Sequence, residues 1–319
     1  MKLLINHKVS EININLLASS GYDVSSITVA QNQLIEYLND HNFEALITNS
    51  NTVVDKKFID LCPNIKIIGC NTAYLNYEDI KYANTHNIKL INTSEGYTVA
   101  VAELVFAHLL GMVRFLHQTN REMPLEGDQR FKTLKNHFSN GTELKGKTLG
   151  IIGLGKIGKE VAKIAIGLGM KIIATSFVVK NDTIKLTFYD GRTLEFDIET
   201  KPLEFLLKNA DFISIHTPYK GSPLIDTKEI NLMKNGVGII NTSEGGTLNE
   251  IALINAIETN KIKYAALDVF ENEPKPEIPI LMNSAISLSP HIGGATIEAA
   301  FKAEEILVNK FIDYSKSIE

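Results

Sequence analysis

Lys147-Thr-Leu-Gly-Ile-Ile-Gly-Leu-Gly-Lys-Ile-Gly158 is the stretch that decides the fold. Leu149, Ile151 and Ile152 form an apolar run that enters Gly153-Leu-Gly155-Lys-Ile-Gly158. Ile157, Val161, Ile164 and Leu168 then recur at helical spacing. Strand, glycine turn and helix stand in the order that a dinucleotide site requires. Gly153 permits the tight turn, Gly155 lets backbone approach a pyrophosphate, and Gly158 lets helix and strand pack closely. Lys156 and Ile157 lie at the helix start, whose unpaired N–H groups and partial positive charge suit a phosphate.

A chain of 319 residues has room for about two domains, and 44% hydrophobic residues against 22% charged ones supply two ordinary globular cores. The net charge of −5 argues against a nucleic-acid surface, which needs a basic patch. Cys62 and Cys70 are the only cysteines, and neither sits in a CxxC or a Cys/His cluster. A disulfide framework and a metal site are therefore not expected, and a reduced cytoplasm fits. The start, Met1-Lys-Leu-Leu-Ile-Asn6, turns polar too soon for a signal peptide. No apolar run reads as long enough to cross a bilayer, so no membrane partner is expected.

The first hundred residues alternate short apolar runs with helical segments. Strands are expected at 2–5, 26–29, 45–48, 66–68 and 89–92, and a long apolar helix from Val99 to about Leu116, lying between domains. A second series of strands follows at 148–152, 171–175, 212–216, 237–241, 264–268 and 286–289, with helices in most gaps. This predicts an α/β protein: a doubly wound parallel sheet of the Rossmann type for the cofactor, plus a smaller flavodoxin-like α/β domain for the substrate. The expected boundaries are 1–97 with 293–319 for the substrate domain and 98–292 for the dinucleotide domain. Residues 181–199 break the rhythm. Ile184, Leu186 and Phe188, then Leu194, Phe196 and Ile198, alternate with polar residues about Asp190-Gly191, which predicts an inserted β-hairpin. It reads either as decoration or a subunit contact, or as a flap near the adenosine end of the cofactor.

Four further motifs follow in order after the glycine stretch: His216-Thr217-Pro218, Asn241-Thr-Ser-Glu-Gly-Gly246, Leu267-Asp-Val-Phe-Glu-Asn-Glu-Pro274 and Ser289-Pro-His-Ile-Gly-Gly294. With them, nearly the whole chain resembles the D-isomer-specific 2-hydroxyacid dehydrogenase family, in particular its phosphoglycerate-dehydrogenase-like branch. The resemblance implies hydride exchange between a nicotinamide and a CH–OH or C=O carbon, with a proton moved at that carbon's oxygen. His291 matches the family's acid/base and Glu273 the carboxylate that orients its imidazole. Asp268 matches an acidic residue near the nicotinamide, or else is a strand-end residue capping the next loop. His216, Thr217, Pro218, Asn241, Thr242, Ser243, Asp268, His291 and Gly293 are expected around the nicotinamide and its ribose. A homodimer is also implied.

Three departures stand out. The arginine that fixes a substrate carboxylate in such enzymes is replaced by Glu244, and a carboxylate facing a carboxylate repels it. The glycine-rich loop of the substrate domain reads Gly69-Cys-Asn-Thr-Ala-Tyr-Leu-Asn-Tyr77, so Asn71, Thr72 and Ala73 become the candidate substrate contacts, with Glu95 and Tyr97 from the next loop. Glu95 either faces the cleft or points to solvent. Ser176 stands where an Asp or Glu usually binds the ribose, which leaves NAD and NADP both open, with a lean to NAD on family grounds. Two functions follow: a dehydrogenase with altered small-molecule substrate recognition, or a catalytically inactive dinucleotide-binding regulator.

Overall fold

The computed structural model describes residues 1–49, 52–70 and 77–318. The chain forms two compact units, Met1–Tyr97 with Ala295–Glu319, and Thr98–Gly294. The first unit runs β1 (Lys2–Ile5), α1 (Glu11–Ser19), β2 (Asp23–Ser26), α2 (Gln31–Asp40), β3 (Ala45–Thr48), α3 (Lys56–Leu61), β4 (Ile67–Cys70), α4 (Tyr77–Thr85) and β5 (Lys89–Asn92). Its sheet has the order β2-β1-β3-β4-β5, wholly parallel, which is the flavodoxin-like arrangement. β3 and β4 are buried at every residue, because helices cover both faces of a parallel sheet. That is why these strands read as unbroken apolar runs.

β2 corrects one expectation. It occupies residues 23–26 rather than 26–29. Ile27 still donates to the Ile5 carbonyl, but the Val29 amide turns to the Asn6 side chain at 2.6 Å and the chain leaves the sheet. As an edge strand with only half-buried side chains, β2 needs no apolar run, and the apolar residues after it belong to the exit loop.

The second unit begins with α5 (Thr98–Val113) and α6 (Leu116–His137), then β6 (Thr148–Ile152), α7 (Lys156–Gly167), β7 (Lys171–Thr175), β8 (Asn181–Thr187) and β9 (Thr193–Glu199). It continues through α8 (Leu203–Asn209), β10 (Phe212–Ile215), α9 (Thr227–Leu232), β11 (Val237–Asn241), α10 (Glu250–Glu258), β12 (Ile262–Leu267), α11 (Ile278–Met282) and β13 (Ile286–Leu288). The parallel order β13-β12-β11-β10-β6-β7 reverses direction between β6 and β10. Ligands of doubly wound sheets bind outside the carboxyl ends of the strands at such a switch point. The last helix, α12 (Ile297–Ile318), returns to the first unit and sends Leu307, Val308 and Phe311 into its core.

Two readings about helices are corrected. The segment 94–113, with mean hydropathy 1.6, is in fact long and apolar enough to cross a membrane by length and composition. Its apolar side chains are spent instead in the core of the second unit, where α5 packs on α7 and β12. The chain then turns at Phe115, in a left-handed conformation, into α6, a helix the sequence reading did not include. Few apolar positions, Pro124 and Gly127 hid it.

Residues 181–199 form an antiparallel hairpin, with Thr187 opposite Thr193. Its loop is Tyr189-Asp-Gly191 between the hydrogen-bonded Phe188 and Arg192, with Gly191 at φ +84°, a three-residue connection closed by a glycine in the left-handed region. Ile184 and Ile198 join the core under α7, Asp182 pairs with Lys159 of that helix at 2.5 Å, and β9 packs beside β7.

Candidate functional site

The glycine turn after β6 is held by contacts that only glycine permits. A Cβ on Gly158 would lie 2.1 Å from the Gly153 carbonyl oxygen, and one on Gly153, at φ +101°, would lie 2.4 Å from the His216 carbonyl. Any side chain here would force the strand, the helix and the β10 loop apart. Gly155 is the N-cap of α7, has no side-chain cap, and faces open space where its Cβ would be. The N–H groups of Lys156, Ile157 and Gly158 begin a helix with no side-chain cap, an arrangement that suits an anion.

The neighbouring loops supply polar atoms without partners. His216 Nδ1, Thr217 Oγ1 and Thr242 Oγ1 are buried and make no hydrogen bond within the described structure. His216 Nε2 meets Ser214 Oγ at 2.7 Å, and burial pushes the pKa of this histidine down to about 3, so its ring stays neutral. An open helix end beside buried, unspent donors and acceptors fits a dinucleotide. Pro218 continues the same loop, and Ser176 follows β7. The Ser176 hydroxyl oxygen accepts the Val178 and Val179 amides at 3.3 and 3.1 Å, leaving its hydrogen as a donor.

The loop after β11 is organised by Asn241. Its amide donates to the Glu244 carbonyl at 3.1 Å and to Thr247 Oγ1 at 2.9 Å, while its oxygen accepts the Ser243 amide and hydroxyl at 3.1 and 2.8 Å. This side chain builds the loop that carries Thr242, Ser243 and Glu244. The Glu244 carboxylate is exposed and accepts the Tyr219 backbone N–H at 2.7 Å. No cationic side chain among the described residues pairs with it. Gly245 then presses on the next loop: a Cβ there would lie 1.8 Å from the Phe270 carbonyl oxygen.

That next loop presents Glu273. Its Oε1 accepts the Phe270 amide at 2.9 Å, and its Oε2 meets His291 Nδ1 at 2.8 Å. The start of α10 is tied to the same loop by a reciprocal exchange. Glu250 Oε1 accepts the Glu271 amide at 2.8 Å, and Glu271 Oε1 accepts the Glu250 amide at 2.9 Å. Glu250 Oε2 is buried without a partner among the described residues, and burial raises the carboxyl pKa. Asp268, only 1% exposed, caps the turn 290–293: Oδ1 accepts the Ile292 amide at 2.9 Å and Oδ2 the Gly293 amide at 2.8 Å. His291 sits in that turn at φ +53°.

In the first unit, Glu95 and Tyr97 lie in a 3₁₀ turn after β5. Glu95 neither stands alone nor simply faces solvent, since Lys310 of α12 approaches it at 3.4 Å. Tyr97 is half-buried, and that burial raises its phenol pKa. Asn71, Thr72 and Ala73 lie outside the described residues, as does Tyr74. No group of metal-ligating side chains occurs among the described residues. The partners that sequence reasoning missed are Tyr219, Gly245, Phe270 and Ser289. Two of these, Tyr219 and Phe270, act through backbone amides, which leave no mark on residue identity.

Residues 106–293 match the family described as D-isomer specific 2-hydroxyacid dehydrogenase, NAD binding domain. The chain belongs to this family. It is an NAD-binding oxidoreductase of the type that acts on CH–OH donors. A relative in Staphylococcus saprophyticus that carries a provisional 2-hydroxyacid dehydrogenase name is 35% identical over 318 residues, covering 98% of this chain and 96% of that one. The D-3-phosphoglycerate dehydrogenase of Archaeoglobus fulgidus is 31% identical over 322 residues, and the match takes in 100% of this chain but 58% of that longer protein. Among solved structures, a glyoxylate reductase from Paecilomyes thermophila superimposes with a TM-score of 0.81 at 25% identity, covering 100% of this chain and 96% of that one.

Proposed function

We propose that this dehydrogenase exchanges hydride at a CH–OH or C=O carbon whose neighbouring group is cationic or uncharged, rather than the carboxylate of a simple 2-oxo acid. The observation that carries the reading is Glu244: an unpaired carboxylate on the β11 loop, where the family resemblance calls for an arginine. Its bond to the Tyr219 amide fixes its position without neutralising its charge. An ammonium or guanidinium group gains from that charge, a carboxylate is repelled, and a neutral group is indifferent.

The proton chemistry follows from the pair His291–Glu273. Nδ1 is committed to the carboxylate at 2.8 Å, so proton exchange with the substrate oxygen falls to Nε2. The Phe270 amide holds the other Glu273 oxygen, which fixes the carboxylate and with it the plane of the imidazole. The bound dinucleotide supplies the hydride acceptor or donor. We take NAD as that cofactor, because the matching family is an NAD-binding one, although Ser176 places no negative charge against a 2′-phosphate. A purely regulatory role would leave this oriented pair without a task. A homodimer in the cytoplasm is part of the same reading.

The test follows nicotinamide absorbance across a panel of substrates. Amine-bearing and uncharged hydroxy or keto compounds should turn over, and lactate and phosphoglycerate poorly. Reduction of pyruvate or glyoxylate at ordinary enzyme rates would overturn the substrate assignment.

A further inference from the structure

Behind the turn of His291 lies a continuous polar chain that ends in the core of the unit. Ser289 Oγ donates to Asp268 Oδ1 at 2.5 Å. His108, on α5, places Nε2 2.8 Å from that same Ser289 Oγ and Nδ1 2.9 Å from Ser287 Oγ. All four side chains are more than nine-tenths enclosed.

Proton counting fixes the direction of every link. Asp268 receives three donors, two of them backbone amides that have no lone pair to offer, so the carboxylate is the accepting end. Ser289 has one hydrogen and gives it to Asp268. Its oxygen must then accept from His108, which requires the proton on Nε2. The bare Nδ1 accepts the Ser287 hydroxyl. Burial lowers the His108 pKa, in keeping with a neutral ring of one donor and one acceptor.

What this chain holds is strained. A left-handed conformation is unfavourable for a residue with a side chain, and His291 adopts it at φ +53°. The turn persists because Asp268 anchors it three times, through its own carbonyl to the His291 amide at 2.8 Å and through its carboxylate to the next two amides. A carboxylate free to rotate could not serve both amides at once. Ser289 and His108 remove that freedom.

We infer that Ser289 and His108 are positioning residues, whose hydrogen bonds hold the Asp268 carboxylate so that the turn 291–293 presents His291 to Glu273. The inference rests on the proposed acid–base role of His291 only for its catalytic consequence; the mechanical link stands on geometry.

Three measurements test it. First, long-range ¹⁵N–¹H spectra of the intact protein should show His108 as the neutral Nε2–H tautomer; the Nδ1–H tautomer would reverse the chain and overturn the inference. Second, in Ser289→Ala the Ile292 and Gly293 amides should exchange with solvent about tenfold faster than in the parent, while amides of β6 do not change. Ser289→Thr, which keeps the hydroxyl, should restore parental exchange. A uniform rise across the unit, or none, would show that Ser289 merely fills space. Third, with NADH and whichever panel compound the parent reduces, Ser289→Ala should lower kcat about ten- to a hundredfold with little change in the KM for NADH. Loosened amides with parental kcat would sink the catalytic consequence. His291→Ala separates the two readings: if it keeps parental turnover, the acid–base assignment fails, whatever the exchange data show.

Discussion

The loop after β11 and the turn after β13 stand on the same edge of one sheet and are built alike, each around a buried polar side chain. Asn241 spends its amide on residues 243–247. Asp268 spends its carboxylate on residues 289–293. They differ in what they hold out. The turn presents His291, paired with Glu273, whereas the loop presents the exposed carboxylate of Glu244. The hydrogen bonds inside the β11 loop run through Asn241, Ser243, Thr247 and the Glu244 carbonyl, not through the Glu244 side chain. Changing one side chain at the exposed tip leaves the internal hydrogen bonds whole.

Gly245→Ala strikes where the β11 loop meets the β12 loop that carries Glu273, the partner of His291, and should have the largest effect. Its new methyl would collide with the Phe270 carbonyl, displacing the backbone that fixes Glu273. We expect a loss of about 1–3 kcal/mol in stability by thermal melting, from overpacking. A drop in kcat of about a hundredfold should accompany it, because a shift near 1 Å misplaces the pair. Parental kcat in this variant would show that the loops act independently after all.

Glu244→Arg should come next. It reverses the sign of the tip and, if the scaffold is indifferent to what it carries, should raise kcat/KM for pyruvate or glyoxylate about tenfold, the equivalent of ~1.4 kcal/mol from a charge-assisted contact. The Tyr219 amide loses its acceptor in the exchange, which is exposed and so hydrates. No gain on any 2-oxo acid would mean that the tip is not where substrate charge is read.

The smallest effect is expected at Glu250, which braces the Glu273 loop from α10. Its carboxyl pKa is raised by burial. The group's contribution to stability is therefore present below the unfolded carboxylate range and lost as pH rises through the higher folded value. Glu250→Gln keeps the acceptor for the Glu271 amide without the charge. Its melting temperature should match the parent near pH 4 and exceed it by a few degrees at pH 8, about 1 kcal/mol for a unit of this size. A gap that does not grow with pH would place the penalty elsewhere.

The strands of both sheets were legible because most are buried on both faces, and only runs such as Ala45–Thr48 or Val237–Asn241 satisfy that. β2 was misplaced because an edge strand carries no such demand, and α6 was missed because its exposed, polar face lacks a stripe. At the site, the sequence names as candidates the residues with chemistry of their own, the glycines, His291 and Glu273. It does not name what orients them. The Tyr219 and Phe270 amides could belong to any residue, and Ser289 and His108 lie 181 positions apart in the chain.

The hairpin of residues 181–199 has a protective effect that its insertion into a doubly wound sheet would not suggest. β7 is the last parallel strand on its side, and the bare rim of such a strand is a template on which any extended peptide can dock. β9 lies beside it, and the Lys201 amide takes the Ala174 carbonyl at 2.8 Å. The inserted ribbon thus acts as a fender, covering that flank of the sheet against strand addition.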